Sequence, residues 1–311
     1  MAYARKRRYT RRSGSSRVKR TTRPSARRYR STGRTRRYTR KRPMSKKSIL
    51  NITSRKKRDT MLSYSNTTST GAQQTPAPGP LYVKGDTGAI CLWIGTARDL
   101  TPGSGGLATI ANESTRTATS CYMRGLSDKL RIQTSSGLPW FHRRIVFTSK
   151  GPDPFRLASP SDSGASQQFL ENSNGMVRLL FNNLLSNTPN YLNNINGVIF
   201  KGAQGVDWSD FVTAPTDPRR ITVKFDKTWT MQSGNNLGVV RERKLWHGMN
   251  KTLVYDDDES GTSENTSYFS TDSKAGMGDL YVLDFIQPGT GGAATDLMRL
   301  ESTATLYWHE K

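Results

Sequence analysis

The sequence has little with which to do chemistry. Two cysteines, Cys91 and Cys121, and three scattered histidines, His142, His247 and His309, show no metal-ligand spacing. The cysteines lie in apolar or Thr/Ser-rich surroundings, which predicts buried free thiols; a disulfide is unusual without a secretion route. Arg5-Lys6-Arg7-Arg8 is not followed by the apolar stretch of a secretory signal. No apolar run approaches the roughly 18 to 20 residues of a membrane span. A phosphate-binding loop, a Gly-x-Ser-x-Gly elbow and a His-Glu-x-x-His helix are all missing, and His309-Glu310 lacks a second histidine. Nothing places a nucleophile beside a base. The expectation is a protein that is not an enzyme, uses no cofactor or metal and has no membrane partner.

The most informative absence is of negative charge. Residues 1–58 contain no Asp or Glu but 25 of the 48 Lys and Arg; residues 59–311 carry the other 23 against all 24 acids. The net charge of +24 therefore resides in the first fifth of the chain. Like charges at this density keep a segment extended, and basic tails of this kind commonly serve nucleic acid. Arg dominates, and its planar fork suits bidentate phosphate contacts. Tyr3, Tyr9, Tyr29 and Tyr38 are interleaved, and bases stack on such rings. No amphipathic recognition helix is evident, so binding through backbone charge, weakened steeply by salt, is expected.

The division is thus a disordered basic arm over 1–58 and a near-neutral domain over 59–311. The expected nucleic-acid-binding residues in the arm are Arg5, Lys6, Arg7, Arg8, Arg11, Arg12, Arg27, Arg28, Arg36, Arg37, Arg40, Lys41, Arg42, Lys46, Lys47, Arg55, Lys56, Lys57 and Arg58. Short clusters at 5–8, 40–47 and 55–58 also suit nuclear import; Arg55, Lys56, Lys57 and Arg58 form the most compact one. In the domain, Lys129, Arg131, Arg143 and Arg144 lie on two adjacent alternating strands, read as a strand–turn–strand unit. They read as a basic patch continuing the arm's grip, or as ordinary strand residues paired with acids such as Asp128.

The domain reads as β. Short strands are expected near 59–65, 89–95, 126–134, 140–149, 198–201, 220–231, 239–246, 252–255, 280–286 and 297–309, with Gly/Pro/Ser-rich loops between them. In the last of these, Met298, Leu300, Ala304, Leu306 and Trp308 share one face and Arg299, Glu301 and Thr303 the other, as in a strand inside a sheet. The best place for helix is 167–185, and 187–197 reads as an Asn-rich loop. Eight or more strands without βαβ rhythm or repeats predict an all-β, antiparallel two-sheet sandwich of jelly-roll type with little helix. Asp256-Asp257-Asp258-Glu259-Ser260-Gly261 partly matches a calcium loop, but Ser267 stands where the bidentate Glu belongs; a solvated acidic loop is the expectation.

Three segments carry a family resemblance: Arg42-Pro43-Met44-Ser45-Lys46-Lys47-Ser48-Ile49-Leu50 with Arg55-Lys56-Lys57-Arg58-Asp59; Tyr122 to Thr134 (YMRGLSDKLRIQT); and Pro139 to Phe147 (PWFHRRIVF). With the basic arm, they resemble the capsid proteins of genomoviruses, small circular single-stranded DNA viruses related to geminiviruses. The resemblance implies a jelly-roll subunit and a homo-oligomeric T=1 icosahedral shell. It also implies an inward basic arm on a packaged single-stranded DNA genome, a host nuclear import receptor as partner, and residence in virion and host nucleus. The competing reading is a cellular nucleic-acid-binding structural protein of ribosomal or chromatin type, though these rarely append so large a neutral β domain.

Overall fold

A computed structural model describes residues 43–103 and 105–311, with the side chain of Lys47 excepted. The folded unit runs from Lys46 to Lys311. Its long elements are α1 (Lys46–Thr53), β1 (Arg55–Thr67), β2 (Gln73–Pro78), β3 (Leu81–Lys84), β4 (Ala89–Ile94), β5 (Ser120–Thr134) and β6 (Trp140–Ser149). After three short strands, β7 (Glu171–Asn172), β8 (Gly175–Met176) and β9 (Arg178–Leu180), come α2 (Pro189–Ile199), β10 (Thr222–Met231) and β11 (Val240–Val254). The hairpin of β12 (Asp258–Ser260) and β13 (Ser263–Asn265) precedes β14 (Asp279–Pro288) and β15 (Leu297–Glu310).

Two sheets result. The larger has seven strands in the order β11-β5-β15-β1-β2, with β3 also on β15 and β9 on β1; the smaller has four, β10-β6-β14-β4. All these pairings are antiparallel except β1 with β9. The all-β antiparallel fold expected from the alternation is therefore present. β15 lies inside its sheet, flanked by β5 and β1, and its buried residues are the ones that alternate in sequence.

The four-stranded sheet is covered on both faces. Ile90, Leu92, Ile145, Phe147, Leu283 and Phe285 pack outward against Tyr191, Leu192, Ile195 and Ile199 of α2 and against Phe155, Phe200 and Trp208. Their neighbours Trp93, Val146 and Val282 point inward to Met61, Met123, Leu306 and Trp308 of the larger sheet. A strand buried on both sides has no polar face, so the runs AICLWI and LYVLDFI are continuous rather than alternating. A second inter-sheet cluster, Leu81, Val83, Ile132, Trp140, Met298 and Leu300, closes the other end.

Four expectations give way. The boundary is not at Arg58/Asp59, because α1 and the first four residues of β1, Arg55 to Arg58, lie upstream of it. The strand extends because the end of β15 needs a partner, Arg55–Leu62 against Thr303–Glu310, and because Glu310 supplies the counter-charge for Lys57. The helix is not at 167–185, which forms β7, β8 and β9, but at Pro189–Ile199 within the Asn-rich stretch. Pro at the first helical position starts it, and Tyr191, Leu192, Ile195 and Ile199 supply the one buried face. Residues 198–201 are accordingly the end of α2 and an isolated bridge from Phe200 to Thr216, not a strand. Finally, β5 and β6 do not pair with each other; they cross from one sheet to the other.

Both cysteines are buried and free. The acidic hairpin leaves Asp256, Asp258, Glu259 and Glu264 exposed, while Asp257 turns inward and accepts hydrogen bonds from Arg116 Nη1 and, at 2.9 Å, Nη2. No cluster of His, Cys, Asp and Glu able to hold a metal occurs among the described residues. No described helix is long and apolar enough to cross a membrane.

Candidate nucleic-acid interface

The strand pairing sorts the cations of the domain into two groups. Those pointing into the sandwich are buried and paired. Arg144 is fully buried and donates through Nη1 to Asp128 Oδ2 at 2.7 Å and through Nε to Asp284 Oδ1 at 2.7 Å. Arg178 Nη2 reaches Asp284 Oδ2 at 3.1 Å, and His142 Nε2 meets Asp284 Oδ1 at 2.8 Å. This ionic layer separates the two inter-sheet apolar clusters. Burial alone would raise the Asp284 carboxyl; Arg144 and the His142 hydrogen bond hold it well below the ordinary carboxylate value. Arg143 points the other way, pairing with Asp226 at 2.7 Å and donating to the Phe211 and Ala214 carbonyls at 2.7 Å. Arg143 and Arg144 are therefore not part of a nucleic-acid surface. Their residue type misleads because a surface patch and a buried ion pair look alike in an alternating strand.

Lys57 leaves the expected set for the same reason. It points inward, 3% exposed, with Nζ 3.1 Å from Glu310 and donating to Thr115 O at 2.8 Å. In this fold the 55–58 cluster is a paired strand in which only Arg55, Lys56 and Arg58 are exposed, so it does not present four cations to an import receptor.

The second group stands on the outer face of the seven-stranded sheet, which no other layer covers among the described residues. Lys129 and Arg131 are there, both exposed, as expected. Cross-strand register places Lys244 beside Lys129, Arg58 beside Tyr307, and Lys56 beside His309. Arg124, next to the bulge in β5, donates to Asn250 Oδ1 at 2.6 Å. Burial first, then the cations Lys56 and Arg124, lower the His309 pKa, which registers the positive field at this end of the face. The other end is balanced: Arg131 stands between Glu242 and Glu301, and Arg299 reaches Glu301 at 2.9 Å.

Rings lie among the unbalanced cations. The Trp246 and Tyr307 centroids are 5.7 Å apart and tilted by 55°. Tyr122 and His309 are 6.1 Å apart. Trp246 is 55% exposed. Its indole crosses the backbone at Gly125, where a Cβ would stand 2.4 Å from Trp246 Cζ2. Gly125 has no left-handed φ to explain it, so the space itself is the reason for glycine there.

Of the residues expected to bind, Arg5 to Arg42 lie outside the described residues. Lys46 is exposed at the start of α1, and Lys47 follows it in the helix. Arg58, Lys56, Lys129 and Arg131 come together on one face. Missed were Arg124, Lys244, Trp246, Tyr122, Tyr307 and Gly125. A signal existed: in β11, Trp246 alternates in phase with Glu242 and Lys244, which puts a large ring on the polar side of a strand. Elsewhere, a groove of about 530 Å³ is lined by Gln73, Gln74, Thr75, Pro76, Ser186 and neighbours, none of them titratable. A scan against protein-family models finds no match for this chain, and a search of curated proteins also finds none.

Proposed function

We propose that this chain is a structural subunit that assembles with copies of itself into a closed shell and packages single-stranded DNA through its basic arm and the open sheet face. The observation that carries the reading is strand order. The eight long strands divide between the sheets so that one reads β1-β15-β5-β11 and the other β4-β14-β6-β10. This order is what two interlocked Greek keys would give, and it supports reading the domain as a jelly roll of the kind found in viral capsid and lectin domains. A charge of +19 on residues 1–45, ahead of the domain, supports a polyanion as cargo. The sequence resemblance to genomovirus capsid proteins points the same way. The protein acts without catalysis in this reading, and entry into the host nucleus falls to the cations at 5–8 and 40–47.

Negative-stain microscopy of the full-length chain, with the absorbance ratio at 260 and 280 nm, tests this directly. Uniform closed particles rich in nucleic acid are expected. Dispersed monomers that bind DNA without closing would overturn the assembly half and favour a cellular nucleic-acid-binding protein. An arm deletion should stop at Ser45, since removing residues to Arg58 also removes α1 and half of the β1 stretch that pairs with β15.

A further inference from the structure

We propose that the ring-bearing half of the open sheet face binds unpaired bases by stacking, with Trp246 as the main platform. The preference for single strands then resides in the sheet, while the arm supplies affinity without discrimination. This rests on the packaging reading above and names what the folded domain adds to it.

Three observations support the assignment. First, Trp246 is held in place without being covered. The glycine at 125 lets the indole lie across the neighbouring strand, Tyr307 braces it at 5.7 Å, and 55% of the side chain remains open. An ordinary packing residue would be turned into the core, as Trp93 and Trp308 are. Second, the cations beside it lack carboxylate neighbours on the strands. Lys244 and Lys129 pair across β11 and β5, Arg58 flanks Tyr307, and the acids Glu242 and Glu301 belong to the next row along. Rings between free cations are what a sugar–phosphate chain with splayed bases needs, because phosphates take the charge and bases take the π-faces. Third, Tyr307 and His309 follow each other on the same face of β15, roughly 7 Å apart by strand geometry. They carry the two ring pairs, Trp246–Tyr307 and Tyr122–His309, so the face offers successive stacking positions.

A duplex cannot use these rings without unstacking, because its bases already cover one another. It meets the same face only through phosphates. The ring contribution is therefore visible as a difference between single and double strands.

The test uses the full-length chain, a fluorescent oligothymidylate of about 20 nucleotides, and a hairpin duplex of similar phosphate count, at roughly 0.5 M salt to screen the arm. Trp246→Ala is expected to weaken single-strand binding about tenfold and Trp246→Phe much less, with duplex binding changed less than about twofold in both. Thermal unfolding of each variant should match the parent. Photocrosslinking of a bromouridine-substituted oligonucleotide should map to Trp246, Tyr307 or Tyr122. An equal loss for both probes, or no loss for either, overturns the inference. So does loss of particles with unchanged oligonucleotide binding, which would make this face a contact between copies. An RNA oligonucleotide bound as well as DNA would keep the stacking surface and remove any role in choosing the sugar. If wild-type chain binds oligothymidylate through Trp246 but never closes into particles, the packaging reading fails and the stacking site stands. If neutralising arm cations abolishes packaging while Trp246→Ala changes nothing, the reverse holds.

Discussion

The inside of the sandwich and the open face of its larger sheet use the same residue types to opposite ends. Inside, Arg144, Arg178 and Lys57 each sit against a carboxylate with almost no water contact. Outside, Lys129, Lys244, Arg58 and Arg124 have no carboxylate beside them in their rows of the sheet. A buried cation costs too much desolvation to stand alone, so the fold must deliver an acid to it. An exposed cation costs nothing to leave unpaired, and its free valence is what a polyanion can take up. The difference is a way to tell structural charge from functional charge without reference to sequence motifs.

Removing the acid that Arg144, Arg178 and His142 share should have the largest effect. Asp284→Ala leaves Arg144 and Arg178 to share Asp128 and strips His142 of its carboxylate, and we expect about 3–5 kcal/mol of lost stability in urea unfolding, or failure to fold. The paired replacement Asp284→Leu with Arg144→Met, which removes charge from both sides, should recover part of that loss. If Asp284→Ala cost no more than a surface substitution, the ionic layer would not be holding the sheets in register.

Smaller, and tied to pH, is the contribution of His247. It is 3% exposed and neither ring nitrogen has a hydrogen-bond partner. Burial first, then Arg144, pushes its pKa down to about 4, against opposing pulls from Asp128 and Asp284. The unfolded chain takes up that proton near pH 6.5. Between these values the unfolded state binds more protons, so stability falls as pH drops from about 6.5 to about 4 and then levels off. Asp279, raised to about 6 by burial, acts in the opposite sense between about 6 and its ordinary 3.8, stabilising the fold as pH falls. Comparing wild type with His247→Leu cancels Asp279. The variant should gain roughly 3 kcal/mol on the wild type between pH 7 and pH 4. A gap that does not change with pH would refute the assignment.

What the sequence made legible follows from the same division. Strands with one wet face, such as β15 and β5, declare themselves by alternation. The two-sheet antiparallel class and the free, buried cysteines follow from such local patterns. α2 does not declare itself, because its buried residues are separated by asparagines and only the covering role against Leu283 and Phe285 makes it a helix. Arg143 and Arg144 are adjacent on β6, and both faces of that strand are buried, so each finds its own acid on its own side. No pattern within ten residues encodes the whereabouts of Asp226 or Asp284. The interface was half legible for a related reason. Lys129 and Arg131 alternate visibly, but Lys244, Trp246 and Arg58 join them only through the pairing of β11 and β1 with their neighbours.

Paired and unpaired cations also stand side by side on a single strand, β5. Lys129 and Arg131 are two residues apart, both exposed, on the same face. Lys129 has Lys244 and Thr303 across its two neighbouring strands; Arg131 has Glu242 and Glu301. Neither substitution to Ala should move stability by more than about 0.5 kcal/mol, since neither side chain is buried. On single-stranded DNA they should differ. Each phosphate that goes unneutralised lowers the slope of log K against log salt by about 0.7. Lys129→Ala should show that full change, because the charge it removes is free. Arg131→Ala should show less, because the register sets Glu242 and Glu301 on either side of it, and losing its charge leaves these carboxylates to repel the strand. Its signature is therefore weaker affinity at low salt with a nearly unchanged slope. Equal slopes for the two variants would mean that exposure alone, and not the lateral pairing across the sheet, decides which cations reach nucleic acid.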